Sequence, residues 1–147
     1  MRIGVDPGLQ GAVAVVDDSL KCLGLADMPL MALGKNHQQI NAAALAVQID
    51  EFAHWAMWKD KKENTTVYLE QVSAMPKQGV TSMFNFGVSY GVVIGICGAL
   101  QIPLVLVRPN AWKKTAGLIG KPKDAARTLA QQLYPEQDLS QIGRAHV

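Results

Sequence analysis

A chain of 147 residues with 49% hydrophobic and 18% charged residues is long enough to bury a real core and too apolar for intrinsic disorder. Its net charge of +2 does not by itself announce a nucleic-acid partner. Cys22 and Cys97 lie in apolar surroundings without metal-ligand spacing, and they read as two reduced core thiols of a cytosolic protein.

The N-terminus leads directly into a strand pattern, so no signal peptide is expected. Arg2–Val5 and Gly11–Val16 read as two strands joined by the tight turn DPGLQG, because Pro-Gly is strong turn punctuation. Leu20–Met28 suits a third strand, and Pro29–His37 a loop. From Asn41, a plausible N-cap, Ala44, Leu45, Val47, Ile49, Phe52, Ala53 and Trp55 recur at helical spacing. The charged DKKEN stretch ends that helix.

TTVYLEQV is a strand by its β-branched and aromatic content. A long loop, SAMPKQGVTS, then leads to the helix MFNFGVSYGVVIGICGALQ, whose Gly87, Gly91, Gly95 and Gly98 lie along one face. The run VSYGVVIGICGALQIPLVLV is interrupted by three glycines and a proline, so it reads as a helix followed by a strand, not a membrane span. IPLVLVRP is that strand, and DAARTLAQQLY a final helix opened by Asp124 or Pro122. The order is β-β-β-α-β-α-β-α.

Two carboxylates interrupt this pattern. Asp6 falls in the first strand among Ile3, Val5 and Val13; Glu70 falls near the end of the fourth among Val67, Leu69 and Val72. Acidic residues are depleted in strands, and a buried charge is costly without a partner. If the two strands are neighbours, the carboxylates converge on one site, where a divalent cation relieves their repulsion. Oxygen-only ligation suits magnesium or manganese rather than zinc. The alternative is that Asp6 caps the DPG turn while Glu70 pairs with a lysine at a strand end.

The opening IGVDPGLQGAVAVV resembles the first hairpin of the RuvC-type Holliday-junction resolvases, of the RNase H-like superfamily. VYLEQVSAMPKQGVTSMFNFGVSYGVVIGICGALQIPLVLVRPNAWKK is similar to that family's second acidic strand, its loop, its glycine-bearing helix and the next strand. The likeness runs from Met1 to about Tyr134 and is strongest to the shorter phage-type and bacterial forms. It implies an α/β fold with a mixed five-stranded sheet flanked by helices, a homodimer, and magnesium-dependent nicking of branched DNA in a bacterial or phage-infected cytoplasm. It also places Asp6 and Glu70 at the family's first two catalytic acidic positions. Two divalent ions about 4 Å apart, magnesium or manganese in its place, clamp the attacking and leaving oxygens of a phosphodiester.

The family pattern adds further acidic residues on a C-terminal helix, and this chain departs there. It stops at SQIGRAHV, where His146 is the sole candidate ligand. IGRAHV is also what ATC GGA AGA GCA CAC GTC encodes, the read-through of a widely used sequencing adapter. The expectation is a single nuclease domain over residues 1–141 that lacks its C-terminal helix, followed by a non-native tail at 142–147, and a chain of low or no activity.

Lys113, Lys114, Lys121 and Lys123 flank a glycine-containing turn and, as a cluster, are candidates to hold phosphates. Lys77 and Phe84 belong to the region that approaches the branch point in such resolvases, with Met75 a weaker candidate there, although Phe84 equally suits the core. Trp112 suits packing under the basic loop, and His37 and His54 a structural or exposed place. The glycine-lined helix suits a dimer interface or close packing on its own sheet. Competing readings are a YqgF-type RNA-processing nuclease, a non-catalytic junction-binding protein, and a phosphotransferase-type domain. The last expects a duplicated domain that 147 residues do not contain. A parent gene with its stop codon directly after Val147 would overturn the assignment of the tail.

Overall fold

Small and β-branched residues alternate through the opening hairpin, so β1 (Arg2–Val5) and β2 (Ala12–Val16) bury Ile3, Val5, Val13 and Val15 on one face. A computed structural model of the protein describes residues 1–57, 65–71, 73, 79–140 and 142. β3 (Cys22–Asp27), β4 (Leu30–Ala32) and β5 (Gln38–Ile40) precede α1 (Ala42–Met57). Then come β6 (Thr66–Glu70), α2 (Val80–Ala99), β7 (Leu104–Val107), α3 (Pro109–Thr115) and α4 (Ala125–Leu133).

The main sheet has the order β3-β2-β1-β6-β7, antiparallel through the first three strands and parallel from β1 to β6 and from β6 to β7. This is the expected mixed five-stranded sheet flanked by helices. Several elements differ from the sequence reading. The segment expected as a loop contributes a short hairpin, β4–β5, with Leu30 opposite Ile40. Pro109 at the first helical position starts α3, which was not expected as a separate helix. α2 also begins three residues earlier than expected, at Val80.

Leu45 and Ile49 of α1 and Val93, Ile96 and Cys97 of α2 close the core over the sheet. Asn41 caps α1 as expected, its Oδ1 accepting the Ala44 N–H at 3.1 Å. Val47, expected on the apolar face of that helix, is exposed. Cys22 and Cys97 are buried free thiols, and burial raises the pKa of each.

α2 is long and apolar enough by length and composition to cross a bilayer, yet one face of it packs into this core through Ser89, Val93, Ile96 and Cys97. The glycines lie elsewhere. A Cβ at Gly87, Gly91, Gly95 or Gly98 would meet nothing within 4 Å, so packing on the sheet does not explain them.

The turn from β1 to β2 fixes the end of the first strand. Asp6 N–H donates to the Ala12 carbonyl at 3.0 Å, and Gly11 N–H to the Gly8 carbonyl at 2.8 Å. A Cβ on Gly11 would collide with the Asp6 carbonyl oxygen and lie 2.8 Å from that of Gly8. Both obstacles are backbone, so the turn itself must move. Gly11→Ala is expected to destabilise the protein by about 1–3 kcal/mol. Urea unfolding at constant m-value is the measurement; an unchanged midpoint would show that the turn tolerates the methyl group.

Candidate active site at the β1 and β6 strand ends

Parallel pairing of β1 with β6 sets Val5 opposite Leu69, and one step further this register brings Asp6 beside Glu70. Parallel neighbours lie about 4.8 Å apart, so two carboxylates at adjacent strand ends feel each other's charge. Val5 and Leu69 point into the core, and alternation turns the next residue of each strand away from it.

The setting of Asp6 corrects the sequence reading. It lies one residue beyond β1 rather than inside it, and its side chain is exposed rather than buried. The Pro-Gly turn begins there, so the strand ends before the carboxylate. Its Oδ1 accepts the Gly8 N–H at 3.0 Å, which is the turn-capping role foreseen as the alternative.

Glu70 is the last residue of β6 and is half-buried. Its Oε2 accepts the indole N–H of Trp112 at 3.1 Å. Burial raises the Glu70 pKa above the ordinary carboxylate value, and the Asp6 charge raises it further. The Trp112 hydrogen bond and the Lys113 ammonium act in the opposite direction. One oxygen of each carboxylate is therefore committed to a protein donor. The second oxygen of each has no such partner among the described residues.

Two oxygen-donor side chains that repel each other fit a hard divalent cation such as magnesium or manganese. Among the described residues no group of three or more His, Cys, Asp or Glu joins to hold a metal. His146 and Lys77 lie outside the described residues, as does Met75.

The basic cluster follows directly after Trp112, the residue that hydrogen-bonds Glu70. α3 ends in a hydrogen-bonded reversal in which Gly117 N–H donates to the Lys114 carbonyl and Leu118 N–H to the Lys113 carbonyl, at 3.2 and 2.7 Å. Gly117 supports it with φ of 68°, a conformation costly for any residue with a Cβ. The reversal carries Lys113 and Lys114 on its near side and Lys121 and Lys123 beyond it. Lys114, Lys121 and Lys123 are exposed, whereas Lys113 is half-buried with its ammonium 5.6 Å from the Trp112 ring centroid.

Lys123 also lines a groove of about 700 Å³ with Gly8, Gln10, Thr81, Ser82 and Asn85. Gly8, whose N–H the Asp6 carboxylate accepts, links the groove to the turn that holds Asp6. Phe84, for which the core was the competing place, is 69% exposed and is not core. His37 and His54 are exposed, as expected.

The sequence reading missed the role of Trp112, placing it only under the basic loop. Its spacing from Glu70, 42 residues, carries no local signal. It likewise gave no sign that Gln10, Thr81 and Asn85 share one groove.

The strand order, the carboxylates at adjacent parallel strand ends and the helices on the sheet define an RNase H-like fold. No family model matches the chain, and no curated protein does. Solved structures do match: the Thermus thermophilus RuvC structure, at 16% identity and a TM-score of 0.52, covers 99% of this chain and 84% of its own. T. thermophilus RuvC in complex with Holliday junction substrate matches with the same coverage, at 14% identity and a TM-score of 0.55. The chain has the fold of these RuvC structures.

Removing the Asp6 charge tests the coupling. Asp6→Asn is expected to lower the Glu70 pKa towards, but not to, its ordinary value, because burial remains. A raised carboxylate pKa makes stability fall as pH climbs from about 4.5 through the folded-state value, since the folded state then binds the extra proton. Asp6→Asn is expected to flatten that decline. Carboxyl carbon chemical shifts followed by NMR between pH 3 and 8 (roughly the range that carboxylates sample) give the titration directly. An unmoved Glu70 midpoint would show that the two side chains do not interact.

Proposed function

We propose that this protein is a metal-dependent endonuclease that nicks branched DNA, resolving Holliday junctions by phosphodiester hydrolysis. The observation that carries this reading is the convergence of Asp6 and Glu70 at the ends of two paired parallel strands. It is supported by the shared fold with RuvC, one of whose structures is a complex with Holliday junction substrate.

Asp6 and Glu70 would hold magnesium, or manganese in its place, as two ions per site. Bound there, such ions supply Lewis-acid stabilisation of phosphate charge and lower the pKa of a bound water. The chain's own residues do the rest. Gly8 N–H and Trp112 N–H orient the two carboxylates. Lys113 brings positive charge to the side of Glu70, while Lys114, Lys121 and Lys123 offer ammonium groups to the DNA backbone. The groove along Gln10, Thr81, Ser82 and Asn85, joined to the Asp6 turn through Gly8, gives neutral hydrogen-bonding groups suited to a sugar-phosphate chain. Exposed Phe84, at the start of α2, is placed to press on unstacked bases.

A second copy of the chain completes the reading. Two nicks on opposing strands of a symmetric junction call for two sites related by a two-fold axis. The outward stripe of α2, with Gly87, Val88, Gly91, Ile94, Gly95 and Gly98, is apolar and exposed, and a Cβ at its glycines would meet nothing within 4 Å among the described residues. Glycines along it let a second helix approach closely. We assign the homodimer interface to this stripe.

One observation favours a second reading, a junction-binding protein that does not cleave. Among the described residues no third carboxylate or histidine joins Asp6 and Glu70.

A labelled synthetic four-way junction separates the readings. In calcium, the protein is expected to bind the junction at least about tenfold more tightly than linear duplex, a difference of about 1.4 kcal/mol. In magnesium, a form of the protein carrying an added RuvC-like acidic C-terminal helix is expected to nick paired strands and the present chain to nick little or not at all. Asp6→Asn in the extended form is expected to abolish nicking while binding persists. Lys121→Ala with Lys123→Ala should lower the slope of log affinity against log salt by about one for each lysine. Binding without nicking by either form would establish the second reading. Equal affinity for junction and duplex would remove both.

A further inference from the structure

We infer that Trp112 is a positioning residue of the proposed nuclease: its indole N–H fixes the carboxylate of Glu70 in the orientation that offers its other oxygen to a divalent cation shared with Asp6. The inference rests on the metal-nuclease reading above and deepens it. Its starting point is the 3.1 Å hydrogen bond from Trp112 Nε1 to Glu70 Oε2, which joins α3 to the end of β6.

The chemistry of the donor matters. A free glutamate at a strand end samples several rotamers, and ordering it on metal binding costs conformational entropy. A bond that orders it beforehand removes much of that cost. An indole N–H is a neutral donor with no acceptor capacity. It therefore orients a carboxylate without neutralising it and without competing for the cation. A lysine in its place would cancel the charge that attracts the metal, and an arginine would engage both oxygens as a fork. Tryptophan takes one oxygen and leaves the other.

The indole is itself braced. Trp112 N–H donates to the Arg108 carbonyl at 3.3 Å, and the Trp112 carbonyl accepts from Ala116 at 2.9 Å, so its backbone is held in α3. Lys113 places its ammonium 5.6 Å from the ring centroid, a cation–π contact that restrains the plane of the ring. Asp6 is ordered in a parallel way, by the Gly8 N–H on its Oδ1. Each carboxylate thus has one oxygen held by a neutral N–H donor. Outer partners of metal ligands commonly act so, and losing one costs about 10- to 100-fold in metal affinity or activity.

The test measures manganese binding to the purified protein by calorimetry, with Mn2+ itself as the probe. Four proteins are compared: wild type, Asp6→Asn, Trp112→Phe and Trp112→Gln. Phenylalanine keeps an aromatic ring without the N–H, and glutamine supplies an N–H at similar reach without the ring. Positioning by the hydrogen bond predicts about tenfold weaker Mn2+ binding in Trp112→Phe and substantial rescue in Trp112→Gln. Wild-type affinity in Trp112→Phe would overturn the inference. Equal losses in both variants would also overturn it, assigning the indole to packing. If wild type and Asp6→Asn bind Mn2+ alike, the metal-site reading itself fails, and the inference with it.

Discussion

Two negative charges set side by side at the ends of β1 and β6 are the constraint on which the rest of this structure turns. Parallel pairing leaves the Asp6 and Glu70 carboxylates no freedom to separate by sliding, because a one-residue slip would expel Ile3, Val5, Val67 and Leu69 from the core. The hydrophobic register therefore enforces the electrostatic conflict. Burial and repulsion together raise the Glu70 pKa, and the protein tempers this with the Trp112 N–H and the Lys113 ammonium. Such an arrangement is costly in isolation, and the proposed function gives it a use, since a bound cation would relieve the repulsion.

The surrounding elements serve the same place. The β1–β2 turn holds Asp6 through its backbone, with Gly11 admitted because any side chain would strike the carbonyls of Asp6 and Gly8. α3 brings Trp112 to Glu70, with Lys113 beside it, and then reverses at Gly117, on either side of which the lysines fall. α2 packs one face on the sheet and presents the other outward, so a single helix contributes to the core, the groove and the proposed dimer stripe. Lys113 thus brings positive charge to Glu70 although the net charge is only +2.

Much of the fold was legible in the sequence. Strand and helix periodicities located the sheet strands and the long helices, and the Asn41 cap and the Pro-Gly turn fell where expected. The short β4–β5 hairpin escaped because three-residue strands carry too little alternation to register. Asp6 was placed in a buried strand because its neighbours are apolar, but a strand end next to a turn is open to solvent. Phe84 shows the same limit from the other side: an aromatic residue in an apolar helix resembles core, and only the helix's rotation about its axis decides that it faces out.

The sequence by itself determined the chemistry available: two acidic residues in strand contexts, glycines at four-residue spacing, and a basic segment before the last helix. These are local signals, set by residue type and spacing along the chain. Only the tertiary structure decided that β6 lies directly beside β1, that Trp112 reaches Glu70 across 42 residues, and that the glycine face of α2 turns away from the sheet. Those outcomes depend on strand order and helix rotation. Both are fixed by which apolar surfaces can be buried together, a property of the whole chain that no local window contains.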